Sequence, residues 1–437
     1  MNYLIPGFIT LFLGFSQAFA APTVQQLTMD NGLNVLLIEA HHVPMVSMQL
    51  TMPAGSRFDV EGKGGTSALL TGMLMDHTQK HTYQEWAAKL DDAAIRLGSA
   101  ADQDALSISL TVLKEAVDEG LQALSEALLQ PGWNQKRFDF LRSNAISAMT
   151  KAQEDAGTHA GKAVAELLFP NHPYGHPVSG DLASLKAIQL VDLKRLYKAQ
   201  VKPEGATLAV SGDITMSELR GLLNTYFATW HGKPAQALVD IDEPSPASAK
   251  EKIISLEKHQ ALVQWVRLGP SRHDADYTAA LVLNHMLGGG GFGSRLMEEI
   301  REKRGLVYGV YSWFQPLETN GAYVIRLQTR ADQAAEAELI LKEVLQGLAN
   351  GDIKQDDLDK SKTNLIGGFA QRMDSNRERS SLLAMMGLYH RPLDYLQNWT
   401  RSVESVTLAD VKRVAQNYLR PQDWKRVLVG PENVQVK

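Results

Sequence analysis

The sequence predicts an α+β protein built from two similar halves, each a mostly antiparallel sheet covered by helices. Three observations lead there: a long internal repeat, strand-like runs that open each half, and long helical patterns that follow them. In the repeat, Ala54-Gly55-Ser56-Arg57 follows an alternating run at 46–52, and Gly269-Pro270-Ser271-Arg272 follows another at 261–268, so that Arg272 lies 215 residues after Arg57. Ser143-Asn144-Ala145-Ile146 matches Thr363-Asn364-Leu365-Ile366 at an offset of 220, and Asp192-Leu193-Lys194-Arg195 matches Asp410-Val411-Lys412-Arg413 at an offset of 218. Three matches in the same order at nearly constant spacing describe a duplication.

The elements follow in order. Residues 24–28, 34–39 and 46–52 read as strands, with apolar side chains recurring on one face. Helical patterns come next at 66–75, 82–97 and 113–129, and a late strand at 206–210. The second half repeats the plan with a strand at 261–268, a helix at 277–287 and a late strand at 426–429. The joint falls at 236–250, where Asp240-Ile241-Asp242-Glu243-Pro244-Ser245-Pro246 has linker composition. The expected organisation is a signal peptide at 1–20, a first domain at 21–235, the linker at 236–250 and a second domain at 251–437.

Composition narrows the function. With 44 Lys and Arg against 49 Asp and Glu, the formal charge is -5, and no basic block stands out, so nothing points to nucleic acid or an anionic membrane. The absence of cysteine excludes disulfides, thiolate metal ligands and a cysteine nucleophile, leaving His and carboxylates as the available metal ligands. An apolar stretch at 4–15, followed by Ala18-Phe19-Ala20, has the form of a signal peptide with an A-x-A cleavage site, although its start carries no Lys or Arg. The stretch is shorter than the roughly 20 residues of a spanning helix. The expectation is an exported, periplasmic or secreted protein without stable membrane insertion, and the alternative is an uncleaved anchor.

Several landmarks then resemble one family. An early Ala-Gly-Ser-Arg turn, a helix opening after Gly64-Gly65, His172-Pro173-Tyr174-Gly175, the run Gly288-Gly289-Gly290-Gly291 and above all Arg301-Glu302-Lys303-Arg304-Gly305-Leu306-Val307-Tyr308 are similar to the pitrilysin/insulinase zinc peptidases. The resemblance covers nearly all of the chain after residue 20. It implies the clam-like shell of pitrilysin and the mitochondrial processing peptidases, enclosing a peptide-binding chamber.

Active members of that family carry H-x-x-E-H on the first long helix, two His one turn apart holding zinc and a Glu serving as base toward the bound water. Aligned on Gly65 and on Met73-Leu74, the first His position holds Ala68, the Glu position Thr71 and the second His position Gly72. The more distant Glu ligand falls near Ala148 or Met149, and no carboxylate occurs between Arg142 and Gln153. The expectation is therefore no metal in this chain, and by resemblance a zinc-bearing homologous subunit as partner. His77 and His81, spaced i and i+4 with Asp76 and Glu85 nearby, are a weaker metal candidate, because 77–82 looks like a polar turn with Thr82 as helix cap. His172 and His176 share the spacing, but Pro173 and Pro177 prevent a regular helix there.

The second half keeps its share of the family site. Ser294 reads as an N-cap, Glu298 and Glu299 suit a first turn, and Gly305 suits a left-handed C-terminal position before a strand at 307–313. From spacing alone, Arg301 reads as a helix-end cation in solvent and Tyr308 as a packed strand residue. The resemblance implies instead that both reach the substrate, Tyr308 donating to the oxyanion of a scissile carbonyl and Arg301 holding a peptide carbonyl. Gly288-x-Gly290-x-x-Gly293 fits a dinucleotide fingerprint only formally, since it follows a helix and not a strand. Trp265, Trp313, Phe314 and Tyr323 are divided between lining a chamber and packing in the core. The expected function is that of a non-catalytic, substrate-binding subunit in a heterodimeric metallopeptidase that cleaves peptides or unfolded protein, inactive alone. The alternatives are an assembly scaffold on the same fold and an autonomous hydrolase with a new site. If the leader reading holds, N-terminal sequencing of the exported protein should begin after Ala20, and an exported chain that still starts at Met1 would overturn it.

Overall fold

The computed structural model describes residues 22–432, so the leader expected at 1–20 lies outside the described residues. The first half runs β1 (Gln25–Thr28), β2 (Asn34–Glu39), β3 (Met45–Met52), α1 (Thr66–Asp76), α2 (Tyr83–Asp92), β4 (Arg96–Ala101), β5 (Leu106–Leu113), α3 (Val117–Leu129), α4 (Gln135–Ala152), α5 (Ala156–Leu168), α6 (Leu182–Ala187), α7 (Leu190–Gln200), β6 (Thr207–Gly212) and α8 (Met216–Phe227). The second half runs β7 (Glu251–Ser255), β8 (Gln260–Leu268), α9 (Tyr277–Asn284), β9 (Val307–Phe314), β10 (Ala322–Arg330), α10 (Ala334–Ala349), α11 (Gln355–Gln371), α12 (Asn376–Leu388), α13 (Tyr395–Ser405), α14 (Leu408–Tyr418) and β11 (Lys425–Gly430). Neither a helix nor a strand lies between α8 and β7.

The two sheets prove the duplication at the level of topology. The first has the order β1-β2-β6-β3-β5-β4 and the second β7-β11-β8-β10-β9, the same arrangement without an equivalent of β1. Each is antiparallel except for one parallel pair, β2 with β6 and β7 with β11. The fold is thus two helix-covered, mostly antiparallel sheets, as the sequence predicts.

Two boundaries differ from the sequence reading. The helix expected at 82–97 ends at Asp92, because Ala94 takes a positive φ and the chain turns into β4. The helix expected from residue 113 starts at Val117, because Leu113 completes β5, whose alternating side chains belong to a half-buried strand.

On one face of the first sheet, Leu37, Met48, Leu50 and Val210 share a core with α1, α3, α7 and α8. The opposite face is covered from the other half: Leu36, Ile38 and Ala209 pack with Leu383, Ala384 and Met386 of α12. The second sheet returns the exchange, because Leu262, Val266, Val324, Val427 and Val429 pack with Ala160, Ala163, Val164 and Leu167 of α5. α5 and α12 are equivalent elements of 13 residues each, 220 positions apart, and each covers its neighbour's sheet. Neither half can therefore bury both faces of its sheet alone. Gly387 marks the closeness of the fit, since a Cβ there would stand 2.3 Å from the Thr207 side chain.

At the junction the two repeated turns grip the hairpins beside them. Gly55 and Arg57 bond through their N–H groups to the backbone of Asp104 and Gln103 in the β4–β5 loop, and a Cβ on Gly55 would come within 2.4 Å of Ala105 N. Gly269 and Arg272 bond likewise to Gly321 and Leu317 in the β9–β10 loop. The loops then meet: Asp104, wholly buried, accepts from the hydroxyls of Tyr174 at 2.6 Å and Tyr389 at 3.0 Å, from the backbone N–H of Glu318 at 2.9 Å, and from Arg57 at 3.5 Å. Burial first, and then the charge of Asp104, push both tyrosine hydroxyls well above their ordinary range, so they stay protonated and donate. Removing the carboxylate leaves two buried hydroxyls without their acceptor and a buried guanidinium without its counter-ion. Asp104→Ala should lower the unfolding free energy by about 3–5 kcal/mol in chemical denaturation, while a change at exposed Leu339, such as Leu339→Ser, should stay within about 0.5 kcal/mol.

Candidate functional site

α1 presents Ala68, Thr71 and Gly72 one turn apart. The Thr71 hydroxyl donates to Ala68 O at 2.7 Å, closing on its own helix, and the space beside Gly72 is bounded by Leu141 of α4. Neither Ala68 nor Gly72 carries a donor atom, and the α4 positions expected for the distant ligand, Ala148 and Met149, hold no carboxylate. The residues present therefore do not fit a zinc ion at the family's position. No group of three metal-ligating side chains converges among the described residues.

The histidine pairs are used otherwise. His77 Nδ1 bonds to Asp76 at 2.8 Å, and Asp76 is held by Arg137, whereas His81 Nδ1 bonds to Glu126 at 2.6 Å. Two separate carboxylates thus hold the two rings, and Thr82 caps α2 through a capping box with Glu85, as its sequence pattern predicts. His172 Nδ1 accepts from Tyr174 N and its Nε2 donates to Asp242 O in the segment joining the halves, while His176 lies beside Pro177 O.

Arg301 and Tyr308 are brought together by the turn between them. Residues Met297–Glu302 form a π-helix. Gly305, at φ +64°, reverses the chain in a conformation that glycine adopts without strain. Glu299 is occupied by Lys303 at 2.7 Å and Arg304 at 2.9 Å, and Glu298 by Lys303 at 2.9 Å. Arg301 has no ion pair among the described residues. Its guanidinium instead lies 4.6 Å from the ring centroid of Phe292 and 5.6 Å from that of Tyr308, a cation between two aromatic faces.

Tyr308 is 89% exposed and does not pack in the core. The reason is a β-bulge: Leu327 pairs with Val310 and Thr329 with Val307, leaving Tyr308 and Gly309 opposite Gln328 alone. The extra residue breaks the alternation, so Val310 points inward while Tyr308, two positions earlier, points out. The N–H of Val310 bonds to the Met297 sulfur at 3.3 Å, which ties the bulge to the π-helix. β9 is the edge strand of its sheet, and Tyr311 and Trp313 are exposed further along it.

Some expectations change at atomic detail. Ser294 precedes the helix as expected, but its hydroxyl donates back to Gly291 O at 2.7 Å and does not cap the turn ahead. Tyr323 is a core residue, whereas Trp313 lines a cavity of about 550 Å³ between α5 and the second sheet. Trp265 Nε1 donates to Glu338, and Phe314 packs edge-on against Tyr277 and Tyr323. The glycine run joins helices, and a Cβ on Gly288 would collide with Ser312 at 2.7 Å. Asn284 accepts from Ser312 Oγ at 2.7 Å, and burial holds the His285 imidazole below its ordinary pKa. Sequence reasoning missed Phe292, although it is the one non-glycine residue within the run 288–293 and could have been noticed on that ground.

Two family descriptions match the chain, Insulinase (Peptidase family M16) over 34–182 and Peptidase M16 inactive domain over 187–365. A solved structure described as the peptidase M16 inactive domain from Pseudomonas fluorescens is 30% identical, covers 94% of this chain and 99% of its own, and superposes with a TM-score of 0.88. The non-peptidase homolog YmxG of Helicobacter pylori is 24% identical over 97% of this chain and 98% of that protein. An uncharacterized zinc protease of Mycobacterium leprae is 24% identical over 93% and 92%. The chain belongs to peptidase family M16, the insulinase family. Because Ala68, Thr71 and Gly72 offer no ligand set, protein dialysed without chelator should retain no stoichiometric zinc by elemental analysis. About one zinc per chain would show a site elsewhere.

Proposed function

We propose that this chain is the non-catalytic, substrate-binding subunit of a heterodimeric, exported metallopeptidase, supplying Arg301 and Tyr308 to the zinc site of a homologous partner. The observation that carries the reading is an asymmetry between the halves. The first-half helix has lost every ligand position, while the second half keeps Arg301 unpaired and Tyr308 turned out on a bulge. Structural economy alone would have let Arg301 take one of the carboxylates that Lys303 and Arg304 hold, and would have let Tyr308 pack. The fit to a non-catalytic role is supported by relatives described as an inactive domain and as a non-peptidase homolog. The expected setting is the periplasm, reached through the leader at 1–20.

In this reading the Tyr308 hydroxyl donates to the oxyanion that develops on the scissile carbonyl, and its exposure leaves that donor free. Arg301, held by Phe292 and Tyr308, offers its fork of N–H donors to a peptide carbonyl. The metal and the activated water belong to the partner. The chain alone should cleave no unfolded peptide, and the mixture with a zinc-bearing homologue should. In that mixture Tyr308→Phe should lower kcat by about 10²–10³, the range for losing one oxyanion donor, with folding intact because the ring is solvent-exposed. Arg301→Ala should chiefly raise KM, since its contact forms in the ground state. A zinc partner equally active alone, or an unchanged kcat with Tyr308→Phe, would leave the assembly-scaffold reading in its place.

A further inference from the structure

The two repeated turns carry one arginine each, and the two side chains find different surroundings. Arg57 of the first turn donates to Asp104 at 3.5 Å and to the carbonyls of Ala237 and Leu238 at 3.0 and 2.5 Å. Arg272, its equivalent 215 residues on, forms no ion pair and no side-chain hydrogen bond among the described residues. Its guanidinium lies 4.8 Å from the ring centroid of Tyr389. Its Nε is buried without a partner, whereas its two Nη atoms keep accessible surface. Asp102 senses the Arg272 charge through space but stands beyond ion-pair distance.

A second guanidinium is set beside the first in the same condition. Arg391, just past the end of α12, donates through Nη2 to the Arg272 carbonyl. Its Nε is also buried without a partner, and it too forms no ion pair among the described residues. The Arg391 guanidinium stands 5.8 Å from the ring centroid of Tyr277, at the start of α9, and 5.7 Å from that of Tyr395, at the start of α13. Neither tyrosine hydroxyl has a hydrogen-bond partner among the described residues. Burial, and then the neighbouring Tyr277, hold the Tyr395 hydroxyl above its ordinary pKa, so at neutral pH it is protonated and able to donate. Arg391, Arg272 and Arg372 all act on that hydroxyl with positive charge.

Two guanidiniums brought together without a carboxylate are unfavourable, because each gives up water and gains no counter-charge. The side chains at hand supply N–H and O–H donors and no anion. A guanidinium fork matches the geometry of a carboxylate or a phosphate, and either ion accepts from several donors at once. We propose that Arg272 and Arg391, with the hydroxyls of Tyr277 and Tyr395, form a binding site for an oxyanion, the carboxylate or phosphate group of a small ligand. A bound oxyanion neutralises the arginine pair and accepts from the donors that the protein leaves open. The site uses neither Arg301 nor Tyr308, and it does not rest on the shared-catalysis reading.

The test is thermal unfolding of the intact protein, followed by tryptophan fluorescence in chloride buffer at neutral pH and constant ionic strength. Inorganic phosphate and N-acetylglycine are titrated, with N-acetylglycinamide as the uncharged control. A ligand that binds only the folded state raises Tm with its concentration. At least one of the two oxyanions should do so saturably, and the amide should not. The tighter of the two gives the source, phosphate indicating a phosphorylated ligand and N-acetylglycine the C-terminus of a peptide. Arg272→Gln should weaken the apparent affinity about tenfold or more, the scale for losing a charge-assisted hydrogen bond. Without ligand, the same variant should keep or raise Tm, because it removes an uncompensated charge. Tyr395→Phe keeps the ring and removes one donor, and it should weaken binding several-fold. No saturable effect of either oxyanion, an effect that survives Arg272→Gln, or binding of the amide as tight as that of the acid overturns the site. A marked fall in Tm for ligand-free Arg272→Gln assigns the arginine to the fold and overturns it as well.

Discussion

The buried carboxylate of Asp104 is the constraint on which the arrangement of the halves depends. A lone ionised carboxylate with no exposure would be prohibitively costly, and it is tolerable here only because donors from four separate segments converge on it. Arg57 comes from the first repeated turn, Tyr174 from the loop after α5, Tyr389 from the end of α12, and the Glu318 N–H from the β9–β10 loop. The two tyrosines stand just beyond the C-termini of the two exchanged helices. One carboxylate thus locks both ends of the exchange, and Arg57 extends the lock to the carbonyls of Ala237 and Leu238 in the connecting segment.

This has a consequence for function. A sheet covered by its neighbour's helix makes the space between helix and sheet part of the junction between halves. Cavities lie there in both halves, one lined by Gln49 and Ser381 and the other by Gln264 and Gly161. The halves differ more clearly between α1 and the turn that carries Arg301 and Tyr308. At α1 the Thr71 hydroxyl closes on its own helix, while the second half maintains a bulge, a π-helix and an arginine with no ion pair among the described residues. These are irregular features that packing alone does not require.

Much of the fold was legible in the chain. Short apolar, β-branched runs placed β2, β3, β6, β8 and β11 within a residue or two, because strands covered on both faces keep apolar side chains at successive positions. β4 was not legible: Arg-Leu-Gly-Ser-Ala-Ala is short, has small residues and follows directly on a helical pattern, so nothing local marks the change. The repeated Ala-Gly-Ser-Arg turn stood out as a motif, but its reason did not, because the atoms that demand Gly55 belong to a loop some fifty residues away. At the candidate site, the Gly305 reversal could be read from the local pattern, whereas Arg301 and Tyr308 were marked by the family resemblance and not by spacing. The bulge that turns Tyr308 outward and the ring of Phe292 beneath Arg301 could not, since both arise from pairing with β10 and from the folded glycine run.

The sequence by itself determined the duplication, most of the strands and helices, and the identities at the positions read against the family motif, Ala68, Thr71, Gly72, Arg301 and Tyr308. All of these are carried by local periodicity or by the identity of single residues. Only the tertiary structure decided that α5 and α12 change places and that Asp104 gathers donors from both halves. Those facts depend on which surfaces meet across more than a hundred residues of chain, and no local pattern encodes the partner of a buried face.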